Sequence, residues 1–248
     1  MNNTNQIFQH QPAVATIFEE MKRLNTEGIK SLLEEDSSTA ARFFVSALGL
    51  AQGQTAVHIP DDEQEPLAVP PRDHRHIPYF SPIRGLQDGD SSVYVHDQPV
   101  WLDGWWLAAN GDVLEKATTF ASFVLFNLAL SYHHRGLVEQ KAAHLKRACK
   151  LYNICASDMI PRLPMSIMES FGVPLAAACL NNQAQIQYQY LGDSAASLRL
   201  AHEMLQPEML ARMYAVASQN AQFALQLEEF LLNTQLFLNC SRNAAPVA

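Results

Sequence analysis

Two short histidine clusters are the parts of this sequence that most suggest metal binding or catalysis. His133 and His134 are adjacent in a segment with helical periodicity. Neighbouring helix positions point about 100° apart, so the two imidazoles do not converge on one metal ion. His74 and His76 could share a metal, but the proline-rich segment around them offers no obvious third ligand. We therefore predict no metal site.

The other nucleophiles and carboxylates do not form a catalytic set. Cys149 and Cys155 are six residues apart, which places them on different faces of a helix, and the four cysteines match no zinc or CxxC pattern. Glu228 and Glu229 diverge because they are adjacent on a helix. No phosphate-binding glycine loop and no G-x-S-x-G motif occurs. We predict that the chain is not an enzyme and uses no cofactor.

Composition favours a buried core and argues against nucleic acid as a partner. Hydrophobic residues make up 48% of the 248 residues, charged residues make up 17%, and the formal net charge is -8. An acidic chain repels phosphate backbones, and the lysines and arginines form no dense run. We therefore predict no nucleic-acid partner.

The most apolar stretch predicts a central helix rather than a membrane span. It covers residues 120–130, which is short of the roughly 20 residues that cross a bilayer. We therefore predict no membrane partner. The first residues lack the basic region and apolar core of a secretory leader. We expect a cytoplasmic protein, and a nuclear location is the alternative.

Helical periodicity covers two parts of the chain and predicts an all-α fold. Residues 13–52 form a first helical pair, and residues 113–240 form the remaining helices. Residues 1–12 and 241–248 are expected to be flexible. The predicted helices after the first pair are 113–134, 137–157, 174–190, 194–205 and 207–239, with Gly136 between the first two.

A proline-rich insert, residues 53–112, separates the first pair from the rest. Its prolines forbid a long helix. Residues 93–95 and 100–102 alternate like two strands, so the insert is predicted to carry a small β-hairpin. An isolated hairpin is marginally stable, so we expect the insert to fold back onto the helices. Its tryptophans, Trp101, Trp105 and Trp106, could anchor it there.

Three segments, 24–50, 126–151 and 181–205, share one layout. Each has a small residue on its first helix, a turn, and a large residue followed by a small one on its second helix. The residues are Gly28, Asp36, Ala40, Phe44 and Ala47; Ala129, Tyr132, Gly136, Leu145 and Ala148; and Ala184, Tyr188, Gly192, Asp193, Leu198 and Ala201. The third segment carries one extra residue between Ala184 and Gly192.

This layout resembles the tetratricopeptide (TPR) repeat family, whose antiparallel helix pairs stack side by side. Small residues let the paired helices approach, and large ones fill the groove between neighbouring pairs. The sequence departs from the pattern at Lys141, where a small residue is usual, at Ser31, where an aromatic is usual, and in its long insert. The resemblance implies a stack of antiparallel helical hairpins.

The resemblance also implies a partner-binding groove, because the first helices of TPR pairs line a concave face. On the first pair this face presents Lys22, Asn25 and Ile29. The groove residues predicted on the later pairs are Asn127, Leu130, His134, Asn182, Ile186 and Gln189. The basic residues with which one subset of the family grips a terminal carboxylate are missing. We therefore expect the groove to prefer an apolar or amphipathic segment, the chain's own insert among the candidates.

The leading functional hypothesis is a protein-interaction scaffold that binds a peptide or helix on this face. One alternative is an enzyme or small-ligand binder with a site between the insert and the helices. A second is a structural subunit that oligomerises. The fold alone does not choose among them, and the oligomeric state stays open.

Overall fold

The computed structural model describes residues 11–53, 99–100, 112–219 and 221–243. Every regular element in these ranges is helical, which confirms the all-α prediction. The eight main helices are α1 (Gln11–Leu33), α2 (Ser37–Gln52), α3 (Val113–Val138), α4 (Ala142–Ile154), α5 (Val173–Gln185), α6 (Ser194–Met204), α7 (Pro207–Ala217) and α8 (Ala221–Asn243). Apart from Val100, which is not in a strand, the predicted β-hairpin lies outside the described residues, as do the three tryptophans and most of both termini.

Consecutive helices pack beside one another in chain order. The most extensive contacts join α1 to α2, α2 to α3 and α3 to α4. Further along, α5 packs on α6, and α8 contacts α5, α6 and α7. One large hydrophobic core runs through the stack, and a smaller cluster forms around Phe237 of α8 with Ala184 and Ala201.

Helix α3 is the most deeply buried element. Every side chain from Ala117 through His133 is buried, as expected for a central helix. The helix is longer than the predicted apolar stretch because it continues through polar residues at both ends. By length and composition alone it could cross a membrane, and 78% of its most apolar window is buried inside the protein. The core helix of a soluble protein would be buried in the same way.

Two glycines allow close packing within the first two helical pairs. A Cβ atom added at Gly28 of α1 would lie 2.5 Å from the Phe44 ring of α2. A Cβ at Gly136 would lie 2.6 Å from Leu145 Cδ2 of α4. The predicted helix end at Gly136 is therefore wrong. This glycine lies inside α3, which continues to Val138, because it provides room for Leu145 and does not form the turn.

The turns of the three helical pairs share one backbone design. Within the described ranges the positive φ angles belong to Glu35 (65°), Gln140 (52°) and Gly192 (67°). Each of these residues directly precedes the residue that caps the second helix of its pair. The Asp36 N–H donates to the Ser31 carbonyl at 2.9 Å, and the Lys141 N–H donates to the Gly136 carbonyl at 3.1 Å. Both bonds close a Schellman motif.

The third turn contains the extra residue seen in the sequence. Here the Asp193 N–H donates to the Gln187 carbonyl at 2.8 Å, one residue further back than in the other two turns. The end of α5 continues as a π-helix over Ile186–Tyr190. A π turn closes its hydrogen bonds five residues apart, so it accommodates one residue more than an α turn. The insertion is therefore absorbed within the helix.

The connection between α4 and α5 is helical but irregular. Helix α4 passes into a π turn, Cys155–Met159, and a 3₁₀ turn, Ile160–Arg162. A single helical turn, Met165–Ile167, leads through a second π turn, Met168–Gly172, into α5. The prolines of this stretch thus divide it without removing its helical character.

The predicted last helix, 207–239, is wrong because two helices occupy it. Helix α7 ends at Ala217, and α8 begins at Ala221. Ser218 and Gln219 form a turn after α7, and the apolar faces of both helices reach the same core. Met213 and Val216 of α7 lie in that core with Phe223, Leu227 and Phe230 of α8.

Candidate functional site

The candidate site is formed by the hydrogen bonds of Asn127, near the middle of α3. Its side chain is fully buried, and its amide pairs with both backbone groups of Val100. The Val100 N–H donates to Asn127 Oδ1 at 2.8 Å, and Asn127 Nδ2 donates to the Val100 carbonyl at 2.9 Å. Asn127 Nδ2 also donates to Asn25 Oδ1 of α1 at 3.1 Å. We call Asn127 with Asn25 the amide site.

These bonds fix the orientation of the Asn127 amide. Its two N–H groups face two acceptors, the Val100 carbonyl and Asn25 Oδ1, and its oxygen faces a donor. A flipped amide would place its oxygen against those acceptors. The side chain is therefore held ready to pair with main-chain groups.

The pairing has the pattern of a β-ladder. In an antiparallel sheet, two opposed residues exchange both of their main-chain hydrogen bonds. Asn127 uses its side chain in the same way, with Val100 as the opposite residue. Only an extended residue presents its N–H and C=O toward one side, so the amide site selects extended backbone. The bonds themselves do not depend on which side chain the bound residue carries.

Apolar contacts surround the bound backbone. Pro99 is buried, and the half-buried Val100 side chain packs against the main core. The site therefore holds a proline–aliphatic dipeptide by its backbone and its apolar side chains together.

The predicted groove residues on the second pair have different surroundings. Asn127 lies at the amide site, and Leu130 is buried in the core. His134 is half-buried, and its Nδ1 lies 2.8 Å from Ser37 Oγ at the start of α2. Of these three residues, Asn127 is the one with hydrogen bonds to Val100 in the described contacts.

The groove residues predicted on the third pair lie elsewhere. Asn182 and Ile186 are fully buried, and Gln189 is exposed and accepts a hydrogen bond from Gln185 Nε2 at 3.1 Å. Asn182 Nδ2 donates to the Tyr152 hydroxyl of α4 at 3.1 Å. These residues belong largely to the packing between helices.

A chain of buried amides joins helices α4, α5 and α8. Asn233 of α8 donates to Asn181 Oδ1 of α5 at 2.6 Å, and Asn181 Nδ2 donates to Asn182 Oδ1 at 3.4 Å. The chain ties α8 to α5, and through Asn182 to Tyr152 of α4. Helix α8 thus packs on the face that carries Asn181, Ala184 and Tyr188, which lies beside the face that the repeat pattern assigned to the groove.

The buried titratable groups of α3, α4 and α5 are held uncharged. Burial, with a smaller contribution from His134, lowers the pKa of His133 to about 3. Burial raises the pKa of the Cys149 thiol to about 12, and it also raises that of Cys179. Protonated, buried thiols are poor nucleophiles. In the described ranges no three His, Cys, Asp or Glu side chains form a group that could hold a metal ion.

A cleft of about 600 Å³ lies between the α4–α5 connection and helices α5, α6 and α7. Three methionines, Met165, Met168 and Met209, line it together with aliphatic side chains. Glu203 and Arg212 give it one polar wall. Its lining suits an apolar group but does not bring together residues for acid–base or nucleophilic chemistry.

Sequence reasoning placed Asn127 and Asn25 on one face and named the insert, residues 53–112, as one candidate for the groove, but it did not single out Pro99–Val100 within the insert. The available signal was the alternating pattern at residues 100–102, which predicts extended backbone beside a proline. Extended backbone is what the amide site requires.

No family model, curated protein or solved structure matches this chain.

Proposed function

We propose that this chain is a TPR-like scaffold that binds an extended segment of a partner protein across α1 and α3. The observation that carries the proposal is the two-point pairing of the Asn127 amide with the backbone of Val100. Two further observations support the repeat assignment. All three helical pairs have a residue with positive φ directly before the cap of the second helix, and the first two share a Schellman bond. The first two pairs also pack through a glycine on the first helix.

Energetics favour a protein ligand at the amide site. A buried polar group without a hydrogen-bond partner costs about 1–3 kcal/mol, so a buried amide at this position needs an occupant. The main-chain N–H and C=O groups of an extended peptide are uncharged, and they supply the hydrogen-bond partners that the Asn127 amide requires. Neither an anion nor a metal ion offers both a donor and an acceptor in that arrangement.

The remaining parts of the proposal follow from charge and composition. We propose a cytoplasmic or nuclear protein that is not an enzyme and needs no cofactor. The net charge of -8 disfavours nucleic acid and acidic peptides as partners. A peptide with an apolar, proline-containing extended stretch fits the amide site better.

A displayed library of random peptides, selected on the full chain, tests this function. We expect the selected peptides to share a proline–aliphatic pair. The variant Asn127→Leu should weaken their binding by at least about tenfold, because both main-chain bonds are lost. The matched control is Ser131→Ala, one turn further along α3. Ser131 is buried and donates to the Asn127 carbonyl at 3.0 Å, within the helix.

Two results would contradict the proposal. The first is selected peptides that bind wild type, Asn127→Leu and Ser131→Ala equally well while circular dichroism shows all three folded. The second is tight calorimetric binding of an acidic C-terminal peptide that amidation of its terminal carboxylate abolishes. That result would show that the protein recognises the terminal carboxylate of a peptide, whereas we propose that it recognises main-chain groups.

A further inference from the structure

We infer that the chain's own Pro99–Val100 segment is an internal ligand that occupies the amide site until a partner displaces it. The inference rests on the proposed peptide-binding function and names the occupant that competes with the partner. It predicts that binding in trans is weakened by a contact within the same chain.

The contact has the chemistry of ligand binding. Val100 is held through its N–H and C=O, which every extended residue except proline possesses. A peptide from another protein offers the same two groups in the same geometry. Exchange of one segment for the other therefore preserves every hydrogen bond of the Asn127 amide, including the one to Asn25.

The covalent connection makes the internal ligand a strong competitor. Val100 and Asn127 are 27 residues apart in sequence. A tether of this kind converts binding into an intramolecular step with an effective concentration on the order of millimolar. A partner present at micromolar concentration competes only if its own contacts are better or the tethered segment is weakened.

The length of the tether permits both the bound and the released state. Asn127 lies 14 residues after the start of α3, a rise of roughly 20 Å along the helix. Asp112, the cap of α3, is twelve residues after Val100, and a segment of that length can span at most roughly 40 Å. Val100 can therefore reach Asn127 or leave it while α3 stays folded.

The experiment uses the full chain and a fluorescently labelled synthetic peptide of residues 95–105 as the probe. In Val100→Pro the internal ligand loses the N–H that donates to Asn127 Oδ1, while the amide site is unchanged. Val100→Ile is the matched control, because it keeps both main-chain bonds and an apolar side chain. Val100→Asp is a second disrupting variant, since it places a carboxylate against the core.

We expect fluorescence anisotropy to show at least about tenfold tighter probe binding to Val100→Pro and Val100→Asp than to wild type. Val100→Ile should bind the probe as wild type does. Adding Asn127→Leu to Val100→Pro should abolish the gain. Circular dichroism shows whether each variant is folded. If Val100→Pro is unfolded, Val100→Asp is compared with wild type in its place.

The outcomes separate this inference from the proposed function. If wild type and both disrupting variants bind the probe equally tightly, the internal ligand does not compete, and peptide binding still stands. If no folded variant binds the probe, both the inference and the peptide-binding function fail. If the double variant binds as tightly as Val100→Pro alone, Asn127 is not the site.

Discussion

Asn127 and His133 are both buried polar side chains on α3, and they differ in how their polar atoms are paired. The amide groups of Asn127 all have partners. The two ring nitrogens of His133 find no hydrogen-bond partner, and the ring lies edge-on to Tyr152 at 6.2 Å. Because its polar atoms are paired, the Asn127 amide is buried without the cost of an unsatisfied group. Unpaired ones make His133 a cost to stability.

His133 gives the fold a defined pH dependence. Its pKa is about 3 in the folded protein, against 6.5 as the ordinary value. Between these values the unfolded chain takes up a proton that the folded chain does not, so lowering the pH favours unfolding. The stability is fully present above about pH 6.5 and is lost at up to about 1.4 kcal/mol per pH unit below it.

We predict that His133→Leu reduces this pH dependence and raises stability at neutral pH by about 1–3 kcal/mol, because it removes unpaired buried nitrogens. Urea unfolding between about pH 7 and about pH 5 measures both effects. His202, an exposed histidine on α6, provides the control variant His202→Leu. Equal slopes for wild type and His133→Leu would show that His133 is not buried as described.

Three glycines inside helices test how closely the helix pairs approach. Gly→Ala normally stabilises an exposed helix interior by about 1 kcal/mol. At Gly28 and Gly136 the added Cβ collides with Phe44 and Leu145, whereas at Gly49 of α2 no atom lies within 4 Å. We predict that Gly49→Ala stabilises the protein, while Gly28→Ala and Gly136→Ala destabilise it by about 1–3 kcal/mol.

The measurement for the glycine series is the urea midpoint of each variant. Because all three substitutions lower the entropy of the unfolded chain equally, their differences report packing in the folded state. A gain for all three variants would mean that the helices of the first two pairs lie further apart than described.

The turns between paired helices provide a second test at the level of elements. A non-glycine residue in the left-handed region costs about 1 kcal/mol. We predict that Glu35→Gly and Gln140→Gly each stabilise the protein by about that amount. Gly192→Ala should destabilise it similarly, because its Cβ would meet no atom within 4 Å and only the backbone strain remains. Thermal unfolding of the single variants measures the three shifts, and a stabilising Gly192→Ala would contradict the turn geometry.

At the scale of the whole molecule, the sequence predicted the all-α fold because helical periodicity is a local property. It misplaced boundaries where tertiary contacts decide them. Gly136 has the composition of a turn, but its missing side chain makes room for Leu145. The break after Ala217 depends on α8 folding back onto α5 and α6, and the local pattern of apolar residues carries no signal for that.

The candidate site was predictable only in part for a similar reason. The repeat pattern placed Asn25 and Asn127 on one face, and the structure joins them by a hydrogen bond. The same pattern assigned Asn182 and Ile186 to a groove, yet both are buried. Asn127 is equally buried, so the difference lies in the partner: Asn182 donates to the Tyr152 hydroxyl of α4, and no feature of residues 181–190 indicates that contact.

Helix α8 has different neighbours from the first two helices. It contacts α5, α6 and α7, whereas the main contacts of α1 and α2 are with each other and with α3. In an array whose elements contact chiefly their neighbours, a local defect destabilises its neighbours most. Phe237 of α8 is buried against Ala184, Ala201 and the Tyr188 ring.

We predict that Phe237→Ala costs about 3–5 kcal/mol locally, because it leaves a cavity in this cluster. Amide hydrogen exchange should accelerate in α5, α6 and α8 and stay unchanged in α1 and α2. Leu232→Ala is the control, since Leu232 lies on the same helix with 54% of its surface exposed. This variant should leave amide exchange unchanged both in α1 and α2 and in α5, α6 and α8. Accelerated exchange of equal size from α1 to α8 would show that the molecule unfolds as one cooperative unit and not as a stack with separable ends.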